Sequence, residues 1–510
     1  MTTSFITTAI PYVNAQPHLG FAYELVLGDV LARHRRRRGD AVRFVTGTDE
    51  NSLKNVAAAA NQGVPVRTLV DRNAGAFRAL GPLLGVESDD FVRTATDPRH
   101  PTAVAWLWRA CAAAGDLYRR RWDGRYCPGC EAFVDDDVAI CDEHHVAPEP
   151  VSEDNWFFRL SRYREPLREA IVSGRLAIVP EAARSETLGF LDGPVHDLSV
   201  SRDAARAGGW GIRVPDDDSQ VVYVWFDALA SYLASLGLGG EGGDLLERYW
   251  HRGDERAHVI GKGISRFHAV YWPAFLLSAG LPLPDRILVH GYLTVDGKKI
   301  AKTGNGVDVP PIVDRFGSDA LRWYFVRRCR TRGDADVKLA QIAAAYDGDL
   351  CDRLGNLVQR CVTLLSRTAA GRVPRGRDDA TLRPLAEALP ARVDAAIADF
   401  LFDDAVASII ELVDAANRGL EASAPWRVAR TDPGAAAELL YAPLEAARIA
   451  AGELAPFVPG VARTIAERLG GAELATGWGR LQPGSLLPVG PPPFPRLASR
   501  DLLQEGEQSS

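Results

Sequence analysis

The chain opens on an apolar, β-rich run from Ser4 to Ile10 that stops at a proline, and a helical pattern follows from about His18 to Arg38. Next comes "AVRFVTGTDE", which reads as a second strand with a loop beyond it. This strand, helix, strand order predicts a parallel sheet with helices on its faces. A similar rhythm returns in "VVYVWFDALASYLASL" (221–236), "AHVIGKGI" (257–264) and "RILVHGYLTVDG" (286–297). A long insertion separates the two parts and carries "GDLYRRRWDGRYCPGC". From about Asp347 the pattern is helical throughout. Leu350, Leu354, Leu357, Cys361 and Leu364 step by four and three and predict one apolar stripe. The closing "PVGPPPFPRLASRDLLQEGEQSS" is proline-rich and then polar, which predicts a tail. No internal repeat interrupts this plan.

Composition narrows the class without changing it. A chain of 510 residues with 46% apolar and 25% charged residues has material for two or three domains, each with its own core. It carries no leader-like start and no apolar run long enough to cross a bilayer, so a soluble, cytoplasmic protein is expected. A net charge of −7 means that any polyanionic partner must meet local basic surface. Seven cysteines, an odd number, argue against a secreted disulfide framework, and four metal-type ligands cluster between 127 and 144. A reducing compartment and one metal site are expected.

Three stretches carry candidate chemistry. In "TTAIPYVNAQPHLG" a strand ends in a turn that feeds a helix start, where unpaired N–H groups and the positive dipole end suit a phosphate. His18 can donate to a phosphate oxygen, and Gly20 lets a flat base approach the backbone. The plainer reading of His18 is a cap. In "VDGKKIAKTGNG" (295–306), Lys298, Lys299 and Lys302 sit on a glycine-flanked loop, able to follow charge from an α-phosphate onto leaving pyrophosphate or simply to be solvated. Cys127, Cys130, Cys141 and His144 form two pairs, each separated by two residues, a spacing that closes a tetrahedral zinc site. His145 competes as fourth ligand, and free thiols are the alternative. The basic run "RHRRRRG" (33–39) is read as a helix end whose cations complement the dipole and stay solvated.

Taken together, the His-Leu-Gly turn and the distant Lys-Ile-Ala-Lys-Thr resemble the paired ATP signatures of class I aminoacyl-tRNA synthetases. The chain is similar to the methionyl-tRNA synthetase family through "TTAIPYVNAQPHLG", "TGTDE", "YVWFDAL", "IGKGISRFHAVYWPAF", "HGYLTVDGKKIAKT", "LGNLVQR" and "PW". The resemblance implies an α/β fold: a Rossmann-type parallel-sheet catalytic domain (1–112 and 220–345) split by a zinc-knuckle connective insertion (113–219). An α-helical anticodon-binding bundle (346–495) and a disordered tail (496–510) follow. It implies that His18, Gly20, Lys299 and Lys302 bind ATP, with His18 and the two lysines catalytic. It assigns the backbone of Ile10 and the carboxylate of Asp49 to the α-ammonium of methionine. Tyr12, Trp225, Ala228, Tyr232, Ile264 and His268 then form the side-chain pocket. Asn356, Arg360 and Trp426 read the anticodon, with Trp426 stacking on a base. Structural zinc, Mg-ATP as substrate, methionine and tRNA as partners, no membrane and a monomeric state complete the expectation.

Four departures from the family's pattern, one of them a residue pair, all fall on the nucleotide side. Phe21 stands where the nucleotide motif has a second histidine, and Ala301 where the ATP loop has a serine. Gly263 replaces an aspartate at the ribose-binding turn, and Asn51-Ser52 replace His-Gly after "TGTDE". A working methionine–tRNA ligase is therefore expected, with two alternatives. One is a ligase of specialised metabolism that passes the aminoacyl group to a small amine or hydroxylamine. The other is a non-catalytic tRNA-binding paralogue.

Overall fold

A computed structural model describes residues 2–127, 132–134, 139–141, 146–240, 243–299, 308–376 and 379–497. They form two compact units. The first comprises residues 1–16, 41–78 and 88–288, the second residues 17–40, 79–87 and 289–510.

The first unit is built on a six-stranded sheet: β1 (Thr3–Thr8), β2 (Ala41–Thr48), β3 (Asp90–Arg93), β4 (Ala177–Val179), β5 (Glu255–Gly261) and β6 (Arg286–His290), in the spatial order β3-β2-β1-β5-β6-β4. β1 runs parallel to both its neighbours, with Ile6 beside Phe44 and beside Ala257. Five of its six residues are buried, as expected of a strand covered on both faces. The strand order reverses at β1, so its carboxyl end opens at the crevice where ligands of such sheets bind. The long insertion forms an antiparallel sheet around Leu117–Cys127 and Glu149–Phe158 and a smaller one through Asp217–Val222. It also returns one strand, β4, to the edge of the main sheet, where Ala177 to Val179 pair with Arg286 to Leu288.

The second unit is mainly helical and includes Leu19–Arg37, Ser318–Arg328, Asn356–Thr368, Leu382–Ala398, Phe402–Ser423 and Tyr441–Leu454. Leu350, Leu354, Leu357 and Cys361 are buried as the stripe predicts, but Leu365 takes the place of Leu364. Val358 and Val362 are buried too, so the inward face is wider than a single row and drifts with the 3.6-residue turn. The proline-rich end does not leave the unit where a tail was expected to begin. Phe494 and Leu497 are buried, and the Leu497 N–H donates to Asp347 at 2.9 Å. Residues 498–510 lie outside those described.

The arginine run at the end of Leu19–Arg37 also differs from expectation. The cations do crowd the last turn, but they are half-buried and paired rather than left to solvent. Arg33 pairs with Asp29 at 2.8 Å and Arg38 with Asp394 and Glu453, each at 2.7 Å, while His34, kept neutral because burial lowers its pKa to about 4, meets Asp394 at 3.1 Å. Glu453 and Asp394 come from helices far along the chain, so the run docks its helix within the unit. At the centre, Arg322 is fully buried, paired with buried Asp29 at 2.7 Å and donating to the carbonyls of Phe457, Pro456 and Leu84. Removing one partner of a buried pair leaves a charge without compensation. Arg322→Ala is expected to cost about 3–5 kcal/mol, read as a lower denaturant midpoint; an unchanged midpoint would contradict this role.

Candidate active site

β1 ends where the chain reaches Pro11, which has no N–H to continue the ladder. The pairing with β2 is nevertheless carried on: the Asp49 N–H donates to the Pro11 carbonyl at 2.9 Å, and Tyr12 and Asp49 form an isolated parallel bridge. Ile10, Tyr12 and Asp49 are thereby set side by side. Asp49 is buried, its carbonyl held by Asn55 Nδ2 at 3.2 Å and its carboxylate approached by the Asn51 N–H at 3.3 Å. Ser52 caps the helix Leu53–Asn61 by accepting from the Lys54 N–H.

The helix Val224–Ala234 carries Trp225, Ala228 and Tyr232 at spacings of three and four, hence on one face. Trp225 lies edge-on to Tyr12, with ring centres 6.1 Å apart, and stacks flat on Phe267 at 3.6 Å. His268 meets Trp225 edge-on at 6.4 Å and is bonded to the Tyr232 hydroxyl at 2.7 Å. Its other nitrogen, Nδ1, faces the Ile264 carbonyl at 3.1 Å. A carbonyl can only accept, so Nδ1 carries the proton and Tyr232 donates to Nε2. Burial lowers the His268 pKa to about 4, leaving the ring neutral at pH 7. Behind it, buried His258 accepts from Trp272 Nε1 at 3.2 Å and donates from Nδ1 to Thr7 Oγ1 at 2.6 Å; burial, with His268 nearby, holds its pKa well below the usual value. The result is an aromatic cluster with uncharged histidines at its base and buried Asp49 bridged to Tyr12 beside it. All eight pocket residues expected from the sequence fall in this unit. Phe267, which fixes the Trp225 plane, and the hydrogen bonds that join Asn51, Asp227 and His100 escaped that reading. Asp227 was visible as an acid inside the apolar "YVWFDAL".

In the second unit His18 is the N-cap of Leu19–Arg37, in extended conformation, and its Nδ1 accepts from the Gly20 N–H at 3.1 Å. The cap role and the phosphate role are compatible, because capping occupies Nδ1 and leaves the proton on Nε2. A β-carbon at position 20 would lie 3.0 Å from the imidazole, so the ring folds over the helix start because residue 20 is glycine. Phe21 stacks on His18, ring centres 4.2 Å apart. Lys298 and Lys299 pair with Val295 and Thr294 in a hairpin whose turn is held by Asp336, which accepts from the Gly297 N–H at 2.8 Å. Beyond the loop, Asp308 forms an antiparallel bridge with His18. The end of the lysine loop is therefore anchored beside the histidine, while Ala301 and Lys302 lie outside the described residues.

Elsewhere in this unit the Arg360 guanidinium lies over the Trp426 ring at 5.0 Å and pairs with Glu421 at 2.6 Å; exposed Asn356 is one turn away. Of the expected metal ligands, Cys127 and Cys141 are described and buried, whereas Cys130, His144 and His145 lie outside the described residues.

Residues 4–145 and 137–362 match the family profile described as tRNA synthetases class I (M), which covers more than half of the chain and defines its class. Among curated relatives, the methionine–tRNA ligase of Brucella melitensis is 36% identical over 516 residues, covering 98% of each chain. That of Mesorhizobium japonicum is 37% identical over 477 residues, covering 91% of each. The solved Mycobacterium tuberculosis methionyl-tRNA synthetase in complex with methionyl-adenylate superposes with a TM-score of 0.91 at 35% identity, spanning 97% of this chain and 100% of that one. The chain belongs to the methionyl-tRNA synthetase family.

The histidine chemistry has a measurable consequence. His268 has a folded pKa below its unfolded value of about 6.5, so the unfolded chain binds the extra proton. Its contribution is complete above that value and is lost as pH falls toward the folded pKa, at roughly 1.4 kcal/mol per pH unit. The unfolding midpoint is expected to fall between pH 6.5 and 4, and less steeply in His268→Gln. An identical slope in the variant would contradict a neutral buried ring.

Proposed function

We propose that the protein activates methionine with ATP and transfers it to tRNA. Asp49 and the Ile10 carbonyl take the α-ammonium; a charge-assisted contact in a water-poor pocket is stronger than a neutral one. Tyr12, Trp225, Ala228, Tyr232, Ile264 and His268 enclose the side chain, and a polarizable thioether suits an aromatic slot whose histidine is uncharged. The methionine carboxylate attacks the α-phosphate of Mg-ATP and pyrophosphate leaves. His18, through Nε2–H, with Gly20, Lys299 and Lys302, binds the nucleotide and stabilises the charge that develops on its phosphates. The aminoacyl group then passes to the terminal ribose of tRNA, with Asn356, Arg360 and Trp426 at the anticodon. The observation that carries this reading is the Tyr12–Asp49 bridge, which joins an acid to the edge of an uncharged aromatic slot.

The residues around Cys127 and Cys141 fit a structural zinc ion. Cys127 pairs antiparallel with Ala132, and the Cys141 N–H donates to the Val146 carbonyl at 2.9 Å. Two buried cysteines, each held by such a backbone contact, suit a closed knuckle of Cys127, Cys130, Cys141 and His144, which stiffens the insertion and takes no part in the reaction. Among the described residues no helix is long and apolar enough to cross a membrane. A cytoplasmic monomer completes the proposal.

The departures at Phe21, Gly263 and Ala301 favour a second reading, a ligase that activates methionine for a small acceptor. Pyrophosphate exchange and tRNA charging, measured together, separate the two. Methionine-dependent exchange with charging is expected. Exchange without charging would point to a small acceptor, and neither would leave a binding protein. Trp426→Ala is expected to weaken tRNA binding by about 1–3 kcal/mol while leaving exchange intact; equal charging by the variant would remove the anticodon role.

A further inference from the structure

Asp49 and the helix that carries Trp225 share a part-buried polar link through Asn51. Asp227 is fully buried, and its Oδ2 accepts from Asn51 Nδ2 at 2.7 Å while its Oδ1 faces His100 Nε2. Asp227 lies between Trp225 and Ala228 on the pocket helix. Asn51 reaches two further places: Nδ2 approaches the Thr94 carbonyl at 3.4 Å, and its backbone N–H approaches Asp49 Oδ1 at 3.3 Å. One residue therefore joins the carboxylate of Asp49, through its backbone N–H, to the helix bearing Trp225, through its side chain. The link runs between residues 176 positions apart.

We infer that Asn51 and Asp227 are positioning residues for the amino acid, setting Asp49 against the Trp225 wall. This rests on the function proposed above. A buried carboxylate demands donors, and Asp227 has two from side chains. Satisfying it fixes the Asn51 amide, which fixes the turn from Asp49 to Ser52 and with it the acid offered to an α-ammonium. Without the Asn51 donor, Asp227 keeps His100 alone among these side chains, and the turn and helix are free to shift apart.

The test compares wild-type protein with Asn51→Leu, which keeps the volume and loses the donor, and Asn51→His, whose ring N–H can again meet Asp227. Equilibrium dialysis with labelled methionine gives affinity without catalysis, and pyrophosphate exchange gives KM for methionine and for ATP. Asn51→Leu is expected to weaken methionine binding about tenfold, the scale of one hydrogen bond to a charged group, with KM for ATP within about twofold. Asn51→His is expected to recover most of the loss. Asn51→Ser, too short to span to Asp227, serves if leucine prevents folding. Wild-type methionine affinity in the donor-less variant, or equal loss for methionine and ATP with no recovery by histidine, would overturn the inference alone. Wild-type protein that binds no methionine would overturn the proposed function and this inference together.

Discussion

The hydrogen bond from the Asp49 N–H to the Pro11 carbonyl is the contact on which the pocket depends. Pro11 ends the donor row of β1, yet its carbonyl still accepts, so β2 remains in register one step past the sheet. That step brings the first acid after β2 level with Tyr12, at the carboxyl end of the strand where the sheet order reverses. Tyr12 then meets Trp225, Trp225 lies flat on Phe267, and the next residue, His268, closes the base. A slip in register would turn these side chains to the other face.

The pocket's polarity follows from how its buried groups are satisfied. His268 and His258 each spend one nitrogen as donor and one as acceptor, on partners that carry no charge. Burial makes protonation costly, and no carboxylate is among those hydrogen-bond partners to offset it. The carboxylates of this unit that lie nearby, Asp49 and Asp227, are instead met by Asn51. Neutral histidines thus stand on the aromatic side, while the two acids are gathered on Asn51.

Local features were legible in the sequence. The helix start at His18 was marked by Pro17 and Gly20, and the β-α-β order by apolar runs and their breaks, because both are decided within a few residues. The stripe from Leu350 to Cys361 was legible for the same reason, and its last member was misread because a helix face has width. What pairs over long separations was not. Arg38 looked like a solvated helix end because Glu453, which neutralises it, lies 415 residues further on. Asp227 looked ordinary, and Asn51 was read as a departure on the nucleotide side, until the fold linked both to the amino-acid pocket. The strand Ala177–Val179, three residues inside an insertion, had too little pattern to announce that it rejoins the main sheet.

The central claim is that Asp49 and the Ile10 carbonyl hold the α-ammonium of an amino acid whose side chain fills the aromatic slot. Calorimetric titration of the wild-type protein with methionine and with 4-(methylthio)butanoate, the same molecule without its amino group, tests it most directly. Saturable binding of methionine and loss of binding for the analogue are predicted. Equal affinity for the two, or heat from neither, would contradict the account.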